Sequence, residues 1–249
     1  MRLYSHNNMI IKLTGNIIFE QKQPFIIKRT IEEKLEINNI WEEFIKEKIP
    51  SDYYNGDIFL VTNIKTNEGN YIFEIGKTKF SDLIYAKRTN KLKVRSLFIA
   101  SYIMTADNYL CIIKNKHKRI NTIGGMVDSL DFDNNLFIPQ NCLYREFQEE
   151  MAMDLKHDET FYDINAKYIK IPYGAEHELA LYPIGILYEI KTTLTTTELL
   201  ENFKKNKDFS DGEIEELVFY NKNTYQQIEQ YEAKESYISE LLTHIINDQ

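Results

Sequence analysis

The chain has 249 residues, 43% of them hydrophobic, enough for one large domain or two modest ones around a substantial core. Asp and Glu (38) outnumber Lys and Arg (30), for a formal net charge of −8, whereas a protein that coats duplex nucleic acid is normally basic. No stretch approaches the ~18 consecutive apolar residues of a membrane span, and the opening MRLYSHNNMIIKLTGN lacks the apolar core of a signal peptide, so a cytoplasmic protein is expected.

In chain order, MIIKLTGNIIFEQKQPFIIK (9–28) predicts a strand pair with turn signals between. From Thr30 to Lys48, Ile31, Leu35, Ile37, Ile40, Trp41, Phe44 and Ile45 recur at helical spacing. Thr30 with Glu33 fits a capping box, and Pro50 closes the helix. Asn55-Gly56 marks a turn before the strand IFLV; NEGN (67–70) reverses the chain into YIFEIG. KTKFSDLIYAKRTN (77–90) predicts a short helix. LFIASYIMTADNYLCIIKNK (97–116) predicts a hairpin about Ala106-Asp107-Asn108. After TIGGMVDS and an acidic loop, Pro139 suits the first turn of a helix. Strands AKYIKI, LYPIGILYEI and EELVFY then alternate with the helix TTELLENFKKN, and a last helix runs from about Thr224 to Ile246. The class is α+β, divided at about residue 94 into an N-terminal segment (1–94) and a core domain (95–249). Cys111 and Cys142 both sit among apolar neighbours, which predicts buried, reduced thiols rather than a disulfide.

The stretch that carries chemistry is REFQEEMAM, Arg145 to Met153. On a helix, Glu146, Glu149 and Glu150 fall within an arc of about 100°. Leu143, Phe147 and Met151 form the adjoining apolar stripe. Like charges at this spacing repel by a few tenths of a kcal/mol per pair. A solvated helix face tolerates that; a partly buried one needs a counter-charge. A hard divalent cation supplies it, because Mg²⁺ takes oxygen ligands and keeps waters for phosphates. Arg145 is placed to hold one glutamate by a two-point hydrogen bond. Upstream, Gly124-Gly125 lets the backbone approach closely or turn sharply.

Together these residues resemble the Nudix hydrolase signature G-x5-E-x7-R-E-U-x-E-E-x-G-U, where U is a bulky aliphatic residue. Every charged position of its second half is matched from Arg145 to Glu150, and Gly125 matches its leading glycine. Ala152 stands where the second glycine belongs. The loop between Gly125 and Arg145 is six residues longer than the signature's, and Asp128, Asp131 and Asp133 are the acids on offer for its first glutamate. The order of WEEFIKEKIPSDYYNGDIFLV, IGKTKFSDLIYAKRTN and the following hairpin resembles a branch that includes UDP-glucose pyrophosphatase-like proteins.

The resemblance implies an α/β/α sandwich with a mixed central sheet, preceded by a smaller α+β segment on the substrate side. It implies Mg²⁺-dependent hydrolysis, with Mn²⁺ as a substitute, of a nucleoside diphosphate linked to another moiety X, such as UDP-glucose or ADP-ribose. Arg145, Glu146, Glu149 and Glu150 are then the catalytic set. Glu146, Glu149, Glu150 and Gly125 hold metal; Thr78, Asp82, Arg88, Gly124 and Gly125 meet substrate. Lys79, Lys87 and Asn90 are further candidates for phosphate or ribose, and Phe80 and Tyr85 for stacking on a base. A general base is sought among Glu176, Glu178, Glu213, Glu215 and Glu216, with His177 beside them. The partner is a small-molecule nucleotide, with no nucleic acid or membrane and with homodimerisation as an option. Two alternatives remain: a nucleotide-sensing module without turnover, and an RNA-cap hydrolase using the basic stretch KNKHKR (114–119).

Overall fold

The computed structural model describes residues 8–21, 29–47, 55–89, 91, 95–134, 136–172, 183–221 and 237–248. Pro50, Asn90, Glu176, His177, Glu178 and the first part of the last expected helix lie outside them.

A mixed sheet is built around β5 (Arg95–Met104). It is flanked on one side by β12 (Ile184–Thr192), its parallel neighbour, and then by β11 (Phe161–Pro172) and β1 (Asn8–Lys12). On the other side come β3 (Asp57–Asn67), β4 (Asn70–Lys79) and β2 (Ile17–Gln21). Away from this path, β6 (Leu110–Asn115) pairs with β5, with β7 (Ile120–Asn121) and with β13 (Ile214–Tyr220). The strand β8 (Ile123–Met126) lies antiparallel to the middle of β5. A small ribbon of β9 (Phe132–Asp133) and β10 (Leu136–Phe137) follows.

Alternation along β5 sends Leu97, Ile99 and Ile103 to one face and Ala100 and Tyr102 to the other. On the first face lie α3 (Pro139–Met151) and α4 (Thr196–Asn206), through Leu143, Phe147, Met151, Leu199 and Phe203. On the second lies α5 (Tyr237–Asp248), through Ile238, Leu241, Leu242 and Ile245, with α2 (Phe80–Thr89) further along the same face. The protein is an α/β/α sandwich on a mixed sheet. α1 (Ile31–Glu47) packs on α2, where Trp41 and Phe44 meet Phe80. Its capping box is present: Thr30 N–H donates to Glu33 Oε2 (2.8 Å) and Glu33 N–H to Thr30 Oγ1 (3.2 Å). Among the described residues, no helix is long and apolar enough to cross a membrane.

The expected N-terminal strand pair is the main correction. β1 and β2 form, but they do not pair with each other: β1 lies antiparallel to β11 and β2 parallel to β4. An isolated hairpin is marginal in water, and each strand instead completes an edge of the larger sheet. The link between them crosses from one end of the strand order to the other, so the sheet curls. Gly15 makes the crossing feasible. A Cβ there would collide with the carbonyl of Gly69 at the tip of the β3–β4 hairpin. Asn16 N–H donates to Asn70 Oδ1 (3.0 Å), and Tyr71 N–H donates to the Asn16 carbonyl (2.9 Å). The two portions about residue 94 therefore share one sheet, through the β1–β11 and β3–β5 pairings.

The NEGN turn forms as read, with Glu68 and Gly69 both at positive φ (50° and 81°), which suits a two-residue hairpin. Pro139 occupies the first turn of α3. The helix ends on Ala152 at φ 52°, ψ 37°, a left-handed conformation that a Cβ disfavours by roughly 1–2 kcal/mol. Both cysteines are free and buried, and burial pushes their thiols up from the ordinary range.

Two outcomes follow for denaturant unfolding. Gly15→Ala lowers stability by about 1–3 kcal/mol, because the opposing atom is backbone. Ala152→Gly raises it by about 0.5–1 kcal/mol, as relief of the left-handed strain exceeds the added freedom of the unfolded chain.

Candidate active site

Helix α3 presents its acids at a fold of β8. Glu146 and Glu150 are buried, at 8% and 5% exposure, whereas the Glu149 side chain is half-exposed. The Glu146 carboxylate lies directly against Gly125, where a Cβ would overlap it. Gly125 thus supplies room; its carbonyl faces the Cys142 thiol at 3.9 Å. Gly124, at φ 145°, lies so close to β5 that a Cβ would meet the Ile99 carbonyl. The glycine pair lets β8 press between β5 and the acidic helix.

Arg145 is the hub. Its two-point contact goes not to a glutamate, as expected, but to Asp131: Nε to Oδ1 and Nη2 to Oδ2, both 3.1 Å. Its Nη1 reaches Glu146 Oε1 (2.6 Å) and Glu149 Oε2 (3.2 Å), and Nη2 also donates to the Met126 carbonyl (3.1 Å). Asp131, fully buried, closes the short 3-10 turn Ser129–Asp131, where Asp128 accepts from Leu130 N–H (2.6 Å) and Asp131 Oδ2 accepts from Asp128 N–H (2.9 Å). Of the three aspartates open to the sequence, Asp131 anchors the arginine. Nothing in sequence spacing singles it out, because the inserted loop hides the register.

The electrostatics of the pair differ. Burial raises the Glu146 carboxyl to about 7, with Arg145 pulling the other way. Burial raises Glu150 to about 9, reinforced by repulsion from Glu146, Asp211 and Glu213; the backbone N–H of Gly124 opposes the rise. Glu150 Oε2 is buried with no hydrogen-bond partner. An orphaned carboxylate oxygen facing three other acids is costly as it stands, and a bound cation removes the cost. The donor set of carboxylate oxygens suits Mg²⁺ or Mn²⁺. Among the described residues, no three acidic, His or Cys side chains are gathered closely enough to grip a metal as they stand; Glu149 is held toward Arg145.

Other expected site residues lie elsewhere. Thr78, Asp82 and Arg88 are not brought to the acidic helix: they sit with α2, on the opposite face of the sheet. Thr78 Oγ1 donates to Asp82, which is also paired with Arg29 (2.5 Å). Arg88 binds Glu47 (2.6 Å) on α1 and lies over the Phe44 ring. Lys79 pairs with Asp57 (2.7 Å), the Tyr85 hydroxyl donates to Glu36 (3.1 Å), and Phe80 packs within the α1–α2 contact. Of the acids proposed as bases, Glu213 is near Glu150, while Glu215 pairs with Lys118.

No protein-family model and no curated protein matches this chain. Solved structures similar to it include DR0079 from Deinococcus radiodurans (13% identity, 60% of this chain and 82% of that one, TM-score 0.41). Tm1382 is 14% identical over 82% of this chain and 96% of its own, with a TM-score of 0.40. A Nudix-family hydrolase from Clostridium perfringens is 15% identical over 53% and 85%, with a TM-score of 0.31. Likeness this distant adds no weight to any assignment of residues or activity.

Asp131→Asn removes the charge of the two-point partner of the guanidinium and leaves Glu146 as its one buried counter-charge. Stability falls by about 2–4 kcal/mol in denaturant unfolding, with a larger loss than for Asp133→Asn on the exposed side of the loop.

Proposed function

We propose that this protein is a Nudix-type pyrophosphohydrolase, splitting a nucleoside diphosphate linked to a moiety X into a nucleoside monophosphate and phospho-X. Nucleotide sugars such as UDP-glucose, and ADP-ribose, are the first substrate candidates. The observation that carries the reading is the buried, partnerless oxygen of Glu150 beside Glu146 at the Gly124-Gly125 fold. The agreement of Arg145 to Glu150 with the signature supports it.

Glu146, Glu149 and Glu150 would hold Mg²⁺ or Mn²⁺, with Gly125 making space for Glu146. A bound ion would supply positive charge to the diphosphate oxygens and acidity to a water. Arg145, fixed by Asp131, orients Glu146 and Glu149 and limits their rotation. Glu213 lies near enough to Glu150 to be the acid of choice for receiving a proton from water. Positioning and charge compensation carry most of the catalysis in such reactions.

The ion pairs from Arg145 to Glu146 and Glu149 favour a second reading, a nucleotide-sensing module without turnover. The RNA-cap reading gains nothing, because Lys116 and Lys118 of the basic stretch face Glu213 and Glu215.

Glu150→Gln separates these. Release of nucleoside monophosphate from UDP-sugars or ADP-ribose with Mg²⁺ falls at least 100-fold, while the unfolding midpoint of the metal-free protein at pH 7 rises, since an amide spares folding the cost of protonating the buried Glu150. Nucleotide binding by calorimetry without hydrolysis in the wild type would establish the sensing module instead.

A further inference from the structure

A second concavity lies on the other flank of α3. It is a cavity of about 450 Å³ beneath the β1–β2 link, at the helix's first turn, within the usual ~300–1,000 Å³ of small-molecule pockets. On the helical wheel Gln140 stands about 120° from Glu146, so the cavity does not belong to the carboxylate face. None of the described residues in its wall carries a charge. Its polar groups are the amides of Asn16, Gln140 and Asn165 and the phenol of Tyr188; Phe19 and Phe137, in edge-to-face contact at 4.6 Å, close one side.

Tyr188 is the telling residue. It is 95% buried, being 5% exposed, on the core-facing side of β12, yet its hydroxyl makes no hydrogen bond to any described residue. The Gln140 amide likewise makes none to a described residue. A buried tyrosine hydroxyl normally finds a partner. Burial, with Cys142 and Tyr144 nearby, pushes the phenol up and keeps it neutral, able both to donate and to accept. The wall of β11 is also irregular: its register against β12 shifts between Ala166 and Tyr168, and bulges of this kind re-aim side chains at binding sites.

We infer that this cavity binds the uncharged heterocycle of a nucleoside, with Tyr188 and Gln140 reading its ring and exocyclic polar groups. An uncharged, amide-lined, aromatic-edged space suits a planar ligand that both donates and accepts hydrogen bonds. Its described wall offers no cation to hold a phosphate. The choice of a nucleoside among such ligands rests on the proposed hydrolase reading; the existence of the site does not.

The test uses the metal-free full chain and phosphate-free probes, so failure of the metal chemistry cannot disguise the result. Adenosine, guanosine, uridine and cytidine are titrated by calorimetry up to 5 mM. At least one binds, and its affinity falls tenfold or more in Tyr188→Phe, which keeps the ring and the fold. Gln140→Leu weakens binding further or shifts the preference among bases, while the melting temperature of both variants stays near wild type. Absence of binding by all four nucleosides overturns the inference. So does unchanged affinity in both variants, or binding of free ribose and glucose to the exclusion of every nucleoside.

Discussion

The candidate active site depends on one constraint: two carboxylates on α3 are buried against β8, whose Gly124-Gly125 pair has no side chains to hold them off. Glu146 rests on the Cα of Gly125, and Glu150 keeps an oxygen without a partner. Burying negative charge is expensive, and the repulsion among Glu146, Glu150, Asp211 and Glu213 adds to it. Arg145 meets part of the demand. Its own placement is secured by Asp131, whose 3-10 turn also fixes the strand-to-helix loop. Glycine pair, arginine, aspartate and helix thus form one interlocked unit, left short of positive charge at the Glu150 end.

The apolar side of α3 anchors that unit. Leu143, Phe147 and Met151 are fully buried against the sheet, each contributing about 1.5–3 kcal/mol of burial. Phe147 meets Phe161 of β11 edge-on, at 5.3 Å between ring centres. The loop bearing Asp211 is tied to the same helix by its N–H, which donates to the Glu149 carbonyl at 2.9 Å. The acids are therefore positioned by rigid elements rather than by free loops.

Much of this was legible in the sequence, because the signals were local. The Thr30–Glu33 box, the Glu68-Gly69 turn, Pro139 at a helix start and the helical period of Leu143, Phe147 and Met151 each depend on residues a few positions apart. The clustering of the three glutamates on one side of a helix followed from periodicity too. What stayed hidden was non-local. Asn16 and Gly15 read as a hairpin turn, although their partners Gly69 and Asn70 lie more than fifty residues on. Thr78, Asp82 and Arg88 looked like substrate contacts by order along the chain, but Thr78 lies at the end of β4 and Asp82 and Arg88 on α2, which packs on the far face of the sheet. Asp131 could not be chosen over Asp128 or Asp133, because only the folded turn shows which one reaches Arg145.

The short crossing from β1 to β2 has a consequence for synthesis on the ribosome. β1 pairs with Phe161–Pro172, so it has no template until that strand, some 150 residues later, has emerged from the exit tunnel. Vectorial folding must begin with the interior of the sheet and add β1 late. Long-range closure of this kind is slow, and until it occurs the open flank of β11 stays exposed to intermolecular strand addition.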